Sequence, residues 1–476
     1  MKKIGIIGGG FSGTMTAIHL IKKATRVVEI IVVNQRETFN KGIAFNPYSR
    51  EHLLNVPASK MSAYTDQPEH FLDWLVRKDH YANIDRKIIA NAFLPRYLYG
   101  EYMVDLWKEA IESPQARQLK IRVIDASVEA LKIIDNRPDL TLDNGECLAV
   151  DACVIATGNH IPRNPPIDNT AFYTNKNYFQ TPWEGRCVAG VAPNLPVCII
   201  GNGLTMVDTV LGLLENHFHN EIYSISPNGF NILPHRHSGL SYTKFTEELA
   251  GTASLHDVVR LFNKHIKGIR EFGVSAEPII DSLRPHTQGL WLRMTEQEKR
   301  LFMARLRHLW GVARHRIPLH IHDRMQQLRI DNKLHIFAGN LLNIVEQGDT
   351  IKVSFYNKKT RQIQEIIVSR VINCTGPESD IMRLEKNFLK NCVVKGIACQ
   401  DSLKLGINAD PATLRVIDRD GQTHPHLFTI GSNLRGILWE TTAVNEIRQQ
   451  AEVLAQTILS TLKADQFMIV TENGRT

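Results

Sequence analysis

Gly8, Gly10 and Gly13, in the stretch IGIIGGGFSG, are the first residues whose type and spacing specify a chemistry. The pattern G-x-G-x-x-G follows the apolar run Ile4, Ile6 and Ile7, which reads as a buried strand. It precedes a helix from about Phe11 that buries Ala17, Leu20 and Ile21. Gly8 permits the tight turn, Gly10 lets backbone approach a pyrophosphate, and Gly13 lets the helix pack close to the strand. The amides of Phe11, Ser12 and Gly13 then face the phosphates, backed by the positive end of the helix dipole. The next strand, VVEIIVVN, ends on Asn34, where such folds place an acid for the ribose hydroxyls. An amide there makes a weaker bond than a carboxylate by roughly 1 kcal/mol. Glu37 is the alternative acceptor, and Asn34 reads equally as a turn residue closing the strand.

A second cradle follows in VCIIGNGLTMVD. Gly201 and Gly203 repeat the first two glycines, Leu204 and Thr205 open a helix, and Met206 stands where a third small residue is usual. The strands PVCIIG and EIYSIS on either side repeat the order of the first cradle. The choice is between a second dinucleotide site and an α/β unit whose glycines serve only the turn. The strand end SPNGF carries neither an acid for a free ribose nor an adjacent arginine for a 2′-phosphate, so NADH and NADPH are not distinguished.

Two Thr-Gly strand ends bracket the second cradle: Thr157 and Gly158 in DACVIATGNHIP, and Thr375 and Gly376 in SRVINCTGP. With these the whole chain resembles the two-dinucleotide-binding flavoproteins. The resemblance implies an α/β fold of two Rossmann-like dinucleotide-binding domains, the NAD(P) domain inserted into the FAD domain. FAD would occupy the first site, and NAD(P)H would deliver hydride from the second. The FAD domain is expected over 1–160 and 376–476, with a helical insertion at about 40–125. The proline-rich stretch 161–195 is expected as a linker, and 196–375 as the NAD(P) domain with a helical excursion at about 235–325. Near the end, IGSNLRGILWETTAVNEIR matches the last strand, glycine and helix of such flavoproteins. Gly431 would end the strand, and Ser432 replaces an aspartate frequent at the ribityl or phosphate contact. Trp439, Glu440, Thr441 and Thr442 would open the helix. Thr441 and Thr442 then either donate to the flavin ring or cap the helix.

The stretch LLNVPASKMSAYTDQPEHFLDWL resembles the segment after the first strands of flavin-dependent N-hydroxylating monooxygenases. In those enzymes a lysine lies near the reactive flavin edge, a role that maps onto Lys60. The resemblance implies a flavin hydroperoxide that hydroxylates a small polar substrate with dioxygen, Asn55 and Lys60 donating hydrogen bonds. Met61, Phe71 and Trp74 would exclude water, or Phe71 and Trp74 form a helix core stripe and Lys60 is solvated. HLLNVPASKMSA, GNGLTMVD, RHRIP and WETTAVNEIR are similar to bacterial FAD/NAD(P)-binding proteins. Arg305, Arg314 and Arg316, with His308 and His315, suit a phosphate or an acidic substrate, or else form a solvated face. His235 and His237 are further pocket candidates. A reductase or oxidase without oxygenation, and a flavin-binding sensory or structural protein without turnover, remain the alternatives.

The elements that must position these residues need two cores, and 476 residues supply them. With 43% hydrophobic and 22% charged residues the chain is globular. A net charge of +7, not concentrated on one arm, argues against a nucleic-acid partner. The 7 cysteines show no C-x-x-C or metal-ligand spacing, so a redox dithiol and a structural zinc lack a sequence basis, and their odd, scattered number implies no disulfide framework. A strand reached by Ile4 leaves no room for a signal segment, and no apolar run approaches the roughly 20 residues of a membrane span. A cytoplasmic protein without a membrane partner is therefore expected. Oligomeric state is not legible.

Overall fold

The computed structural model describes residues 1–235, 240–251, 254–385 and 387–473, with side chains through residue 465. They form two compact units. One comprises Met1–Pro47, Val56–His160 and Glu378–Thr476, and the other Tyr48–Asn55 and Ile161–Pro377.

The first unit is built on a six-stranded sheet. Its order is Arg415–Ile417, Thr423–Thr429, Ala152–Ile155, Lys2–Ile7, Val28–Val33 and Lys120–Ile124. All pairs are parallel except the first. Val28–Val33 is buried at every position, as expected of a parallel strand covered on both faces. The helices Phe11–Lys23 and Val444–Asn473 lie against each other. A three-stranded antiparallel sheet, Val128–Ile134, Arg137–Leu142 and Cys147–Ala149, contributes Leu131, Leu140, Leu142 and Leu148 to a core shared with Cys153 and Ile155.

The expected insertion is helical, with helices at His70–Val76, Arg86–Asn91 and Arg96–Glu112. Rings hold it together: Phe71 lies 5.1 Å from Tyr99 and 5.0 Å from Tyr102, and Phe45 lies 4.5 Å from Tyr99. Each fully buried ring contributes on the order of 2 kcal/mol.

The second unit carries a seven-stranded sheet. Its order is Gln362–Val368, Thr350–Asn357, Leu334–Gln347, Ile222–Ser226, Val197–Ile200, Arg370–Asn373 and Tyr178–Phe179. The stretch 161–195, expected as a linker, is built into this unit, because Tyr178–Phe179 pairs with the strand Arg370–Asn373. Arg370 fastens the same stretch. Its guanidinium donates to the carbonyls of Arg186, Cys187, Ala189 and Gly190 at 2.8–3.3 Å. Tyr48–Asn55 also belongs here, although it sits within the sequence of the other unit. Its His52 Nε2 lies 3.0 Å from Asp208 O, and Leu53 packs on the core around Val207 and Ile321.

The excursion forms helices from Lys244–Leu249 to Leu319–Ile330. Phe245, Leu249, Ile279, Leu283 and Leu290 make a small core of their own within it. Among the described residues, no helix is long and apolar enough to cross a membrane. No group of His, Cys, Asp and Glu there is placed to hold a metal ion.

Candidate functional site

The first glycine turn is held by backbone on three sides. Gly8 donates to Val33 O at 2.9 Å, and Ala156 N donates to Ile7 O at 2.8 Å. Gly8 has φ +97°, and a Cβ there would stand 2.4 Å from Ala156 O. On Gly13 a Cβ would fall 1.8 Å from Gly8 O, so helix and turn touch through backbone alone. Gly10 precedes Phe11–Lys23 with no side-chain cap. The first intrahelical donor is Thr14, 2.9 Å from Gly10 O, so the amides of Phe11, Ser12 and Gly13 lie ahead of it and have no acceptor within the helix.

Asn34 is committed to the turn. Its Oδ1 accepts from Gly9 N at 2.8 Å, and its Nδ2 donates to Gln35 O at 2.6 Å and Thr38 Oγ1 at 3.1 Å. These bonds fit its reading as a residue that closes the strand, with Gly9 taking one of the two acceptor positions of the amide oxygen. Asn40, which sequence reasoning missed, works beside it. At φ +66° it donates from its own N to Gly9 O at 2.7 Å, and its Oδ1 accepts from Thr14 Oγ1 at 3.3 Å.

The opposite wall comes from the end of the chain. Gly431, at φ +75°, approaches Ser12 so closely that a Cβ would lie 2.8 Å from Ser12 Oγ. Asn433, also missed, is buried and ties two strand ends together: its Nδ2 donates to Thr157 Oγ1 at 3.1 Å and Ile155 O at 3.4 Å on one, and to Thr429 Oγ1 at 3.2 Å on the other. The run GSNL was its only local signal. Gly158, at φ +70°, has nothing within 4 Å of a Cβ. Ser432 Oγ is buried and makes no hydrogen bond.

The last helix begins at Val444, not at Trp439, and Gly431–Leu434 forms a short 3-10 turn before it. Thr441 is therefore not the helix cap. It is buried, donates from Oγ1 to Gly431 O at 3.3 Å and accepts from Gln450 Nε2 at 2.6 Å. Gln450 Oε1 in turn accepts from Gly431 N at 3.1 Å. Thr442 is exposed, two residues ahead of the helix.

The second cradle repeats the first within the other unit. Gly201 has φ +103°, donates to Ile225 O at 2.7 Å, and would place a Cβ 2.5 Å from Cys374 O. Gly203 precedes the helix Leu204–Glu215, and a Cβ there would meet nothing within 4 Å. Thr205 O accepts from Thr209 Oγ1 at 2.9 Å. Met206 is buried in the core at the third position. Thr375 donates from Oγ1 to Asn373 Oδ1 at 2.7 Å, and Gly376, at φ +89°, is as open as Gly158.

Lys60 is exposed at the end of the 3-10 turn Ala58–Lys60 in the first unit, whereas Asn55 belongs to the second. Asn55 offers its carbonyl to His235 Nε2 at 2.9 Å. Burial, the largest cause, holds His235 below the ordinary histidine value. His237 lies outside the described residues. Met61, Phe71 and Trp74 are all buried, and Trp74 Nε1 donates to Asp105 Oδ2 at 3.0 Å, which places Phe71 and Trp74 in a helix core. The arginines do not form one anion patch. Arg305 is exposed and Arg314 half-buried, while Arg316 is buried, bonded to Glu277 and, at 2.8 Å, to Asp281. Its charge is spent on these carboxylates, 39 and 35 residues away in sequence.

The family model described as FAD-NAD(P)-binding matches residues 5–160. No curated protein matches the chain. Among solved structures, the chain is similar to the ornithine hydroxylase of Pseudomonas aeruginosa at 12% identity and TM-score 0.65, over 97% of this chain and 99% of that one. It is similar to the ornithine N-hydroxylase of Kutzneria sp. 744, in a structure with reduced FAD, NADP+ and L-ornithine. That likeness has 11% identity and TM-score 0.64 over 96% and 98%. The L-lysine 6-monooxygenase of Pseudomonas syringae matches at 13% identity and TM-score 0.59 over 97% and 99%. At these identities the likeness establishes the fold, that of the two-dinucleotide-binding-domain flavoproteins.

Proposed function

We propose that the protein is an FAD-dependent, NAD(P)H-oxidising monooxygenase acting on a small polar substrate with dioxygen. The observation that carries this reading is one turn built twice. Gly8 and Gly201 share a positive φ and the same contact with the carbonyl before a Thr-Gly strand end, Ala156 O in one unit and Cys374 O in the other. The matched FAD-NAD(P)-binding region contains the first of these turns, which supports FAD there and the nicotinamide nucleotide at the second. The activities of the similar structures, hydroxylation of ornithine and monooxygenation of lysine, support oxygenation of a small polar molecule.

The residues of the first unit fit FAD. Gly10 and the amides of Phe11, Ser12 and Gly13 present donors for a pyrophosphate, with no side chain capping them. Ser432 Oγ, buried without a partner, is an orphan polar atom of the kind that a ribityl or phosphate oxygen satisfies. Gly431 is pinned from both sides by Gln450 and Thr441, which fixes that wall. A bound flavin supplies the two-electron chemistry linking NAD(P)H to dioxygen. Lys60, exposed at the end of its 3-10 turn, is our candidate donor to substrate. The similar structures include thioredoxin reductases, but a dithiol exchange would need a reactive cysteine pair. Cys153, Cys187, Cys198, Cys374 and Cys392 are buried, and burial raises the thiol values of all five. All seven cysteines are free, which supports a reducing compartment such as the cytoplasm.

The test is the absorbance of the purified protein, then anaerobic titration with NADPH and NADH, then turnover in air with candidate amines and amino acids. A yellow protein that bleaches and yields hydroxylated product in step with NAD(P)H consumption is expected. Hydrogen peroxide release with every substrate would move the reading to an oxidase. A colourless protein, or a flavin that neither nucleotide bleaches, would leave only a binding role.

A further inference from the structure

The loop beyond the strand Ile222–Ser226 is built into the second cradle. Asn202, between Gly201 and Gly203, donates from Nδ2 to Phe230 O at 2.5 Å. Gly229 donates to Ser226 Oγ at 3.0 Å and, at φ +59°, packs so near Ala338 that a Cβ would come within 2.9 Å. The turn so held, Ser226-Pro227-Asn228-Gly229, contains no carboxylate.

Two cations reach this loop from distant parts of the chain. Ser226 pairs with Ala338 and Gly339 with Asn357, so Lys358 stands level with the carboxyl end of Ile222–Ser226. Its backbone N donates to Ala338 O at 2.8 Å, and its Nζ donates to Pro227 O at 2.7 Å. Arg329, in the helix Leu319–Ile330, donates from Nη1 to Asn231 Oδ1 and Gln326 Oε1, each at 3.2 Å. Among the described residues, the hydrogen bonds of both side chains run to neutral oxygens, and neither forms a salt bridge.

In a strand–glycine–helix–strand unit the adenosine ribose lies beyond the second strand's carboxyl end. An acid there takes a free 2′-hydroxyl, and a cation takes a 2′-phosphate. A carboxylate-free turn bonded by Lys358, with Arg329 held two residues beyond it at Asn231 and both cations keeping donors to spare, matches the phosphate. We propose that Lys358 and Arg329 read the 2′-phosphate of the hydride donor and make NADPH, not NADH, the preferred nucleotide. This rests on the nucleotide reading of the second cradle.

Adenosine 2′,5′-bisphosphate and 5′-AMP differ only in the 2′-phosphate, and calorimetry with the full-length flavin-loaded protein measures each directly. The bisphosphate is expected to bind at least about tenfold tighter. Lys358→Ala and Arg329→Ala should each shrink that preference about fivefold while leaving 5′-AMP within about twofold. Lys358→Glu should remove the preference outright. Equal binding of the two probes, binding of neither, or variants that weaken both alike would overturn the assignment. Flavin bleaching separates the two levels of the argument. Equal reduction by NADH and NADPH defeats this inference alone, and reduction by neither defeats the proposed function as well.

Discussion

Gly13 lies against Gly8 with no room for a side chain between them: a Cβ on Gly13 would stand 1.8 Å from the Gly8 carbonyl oxygen. Gly203 in the other unit meets nothing within 4 Å. The two cradles share their turn but differ in what closes them, since one is packed at its third position by backbone and the other is lined there by Met206.

Gly13→Ala must therefore move the helix Phe11–Lys23 away from its strand. The expected outcome is a protein that purifies without flavin absorbance, or with a melting temperature lower by several degrees, as a strain of about 2 kcal/mol implies. Gly203→Ala, at φ −84° and in open space, should melt within about a degree of wild type and stay yellow. Full flavin occupancy and an unshifted melt in Gly13→Ala would refute the packing argument.

Arg316 and Arg305 should respond oppositely to truncation. Arg316→Met leaves Glu277 and Asp281 without their buried partner and should cost about 2–4 kcal/mol of stability. Asp281 is half exposed, which holds the loss below that of a fully buried pair. Arg305→Met, on an exposed side chain, should change stability by no more than about 0.5 kcal/mol. Chemical denaturation followed by far-ultraviolet circular dichroism compares the two, and equal losses would refute the assignment.

These residues mark where sequence reading stops. The glycine turns were legible because turn, strand and helix are contiguous, and each glycine answers to a neighbour within the same unit of structure. Arg316 read as part of a basic run because its carboxylates lie on another helix. Thr441 read as a helix residue because nothing local announces its tie to Gly431 and Gln450. Tyr48–Asn55 gave no composition signal that it would join the second unit. Lys358 is 131 residues from Pro227, a pairing that only the sheet register creates.

Thr441 and Gln450 are expected to act as a pair. Thr441→Val leaves Gln450 Nε2 and Gly431 O without a buried partner, and Gln450→Leu leaves Gly431 N without its acceptor and Thr441 Oγ1 without its donor. Each single change should cost about 1–3 kcal/mol. The double variant should cost about 1 kcal/mol less than the sum, because both act on one network. Flavin release on dilution should quicken in all three, since the network holds Gly431 beside Ser12. Strict additivity, or flavin release at the wild-type rate, would place Gly431 under other control.

His19 should make the first unit acid-sensitive in a definite window. It is buried on the helix Phe11–Lys23, its Nε2 has no hydrogen-bond partner, and burial, opposed in part by the charge of Glu452, lowers its value to about 4. An unfolded histidine titrates near 6.5, so between these values the unfolded chain binds the extra proton. The stability that neutral His19 permits is thus present above pH ~6.5 and is lost as pH falls through ~4, a swing on the order of 3 kcal/mol. His19→Leu removes the titration and should flatten that decline while leaving stability near pH 7 within about 1 kcal/mol. Melting temperatures of both proteins at intervals from pH 7 to pH 4 make the comparison. Parallel curves would show that another group carries the acid sensitivity.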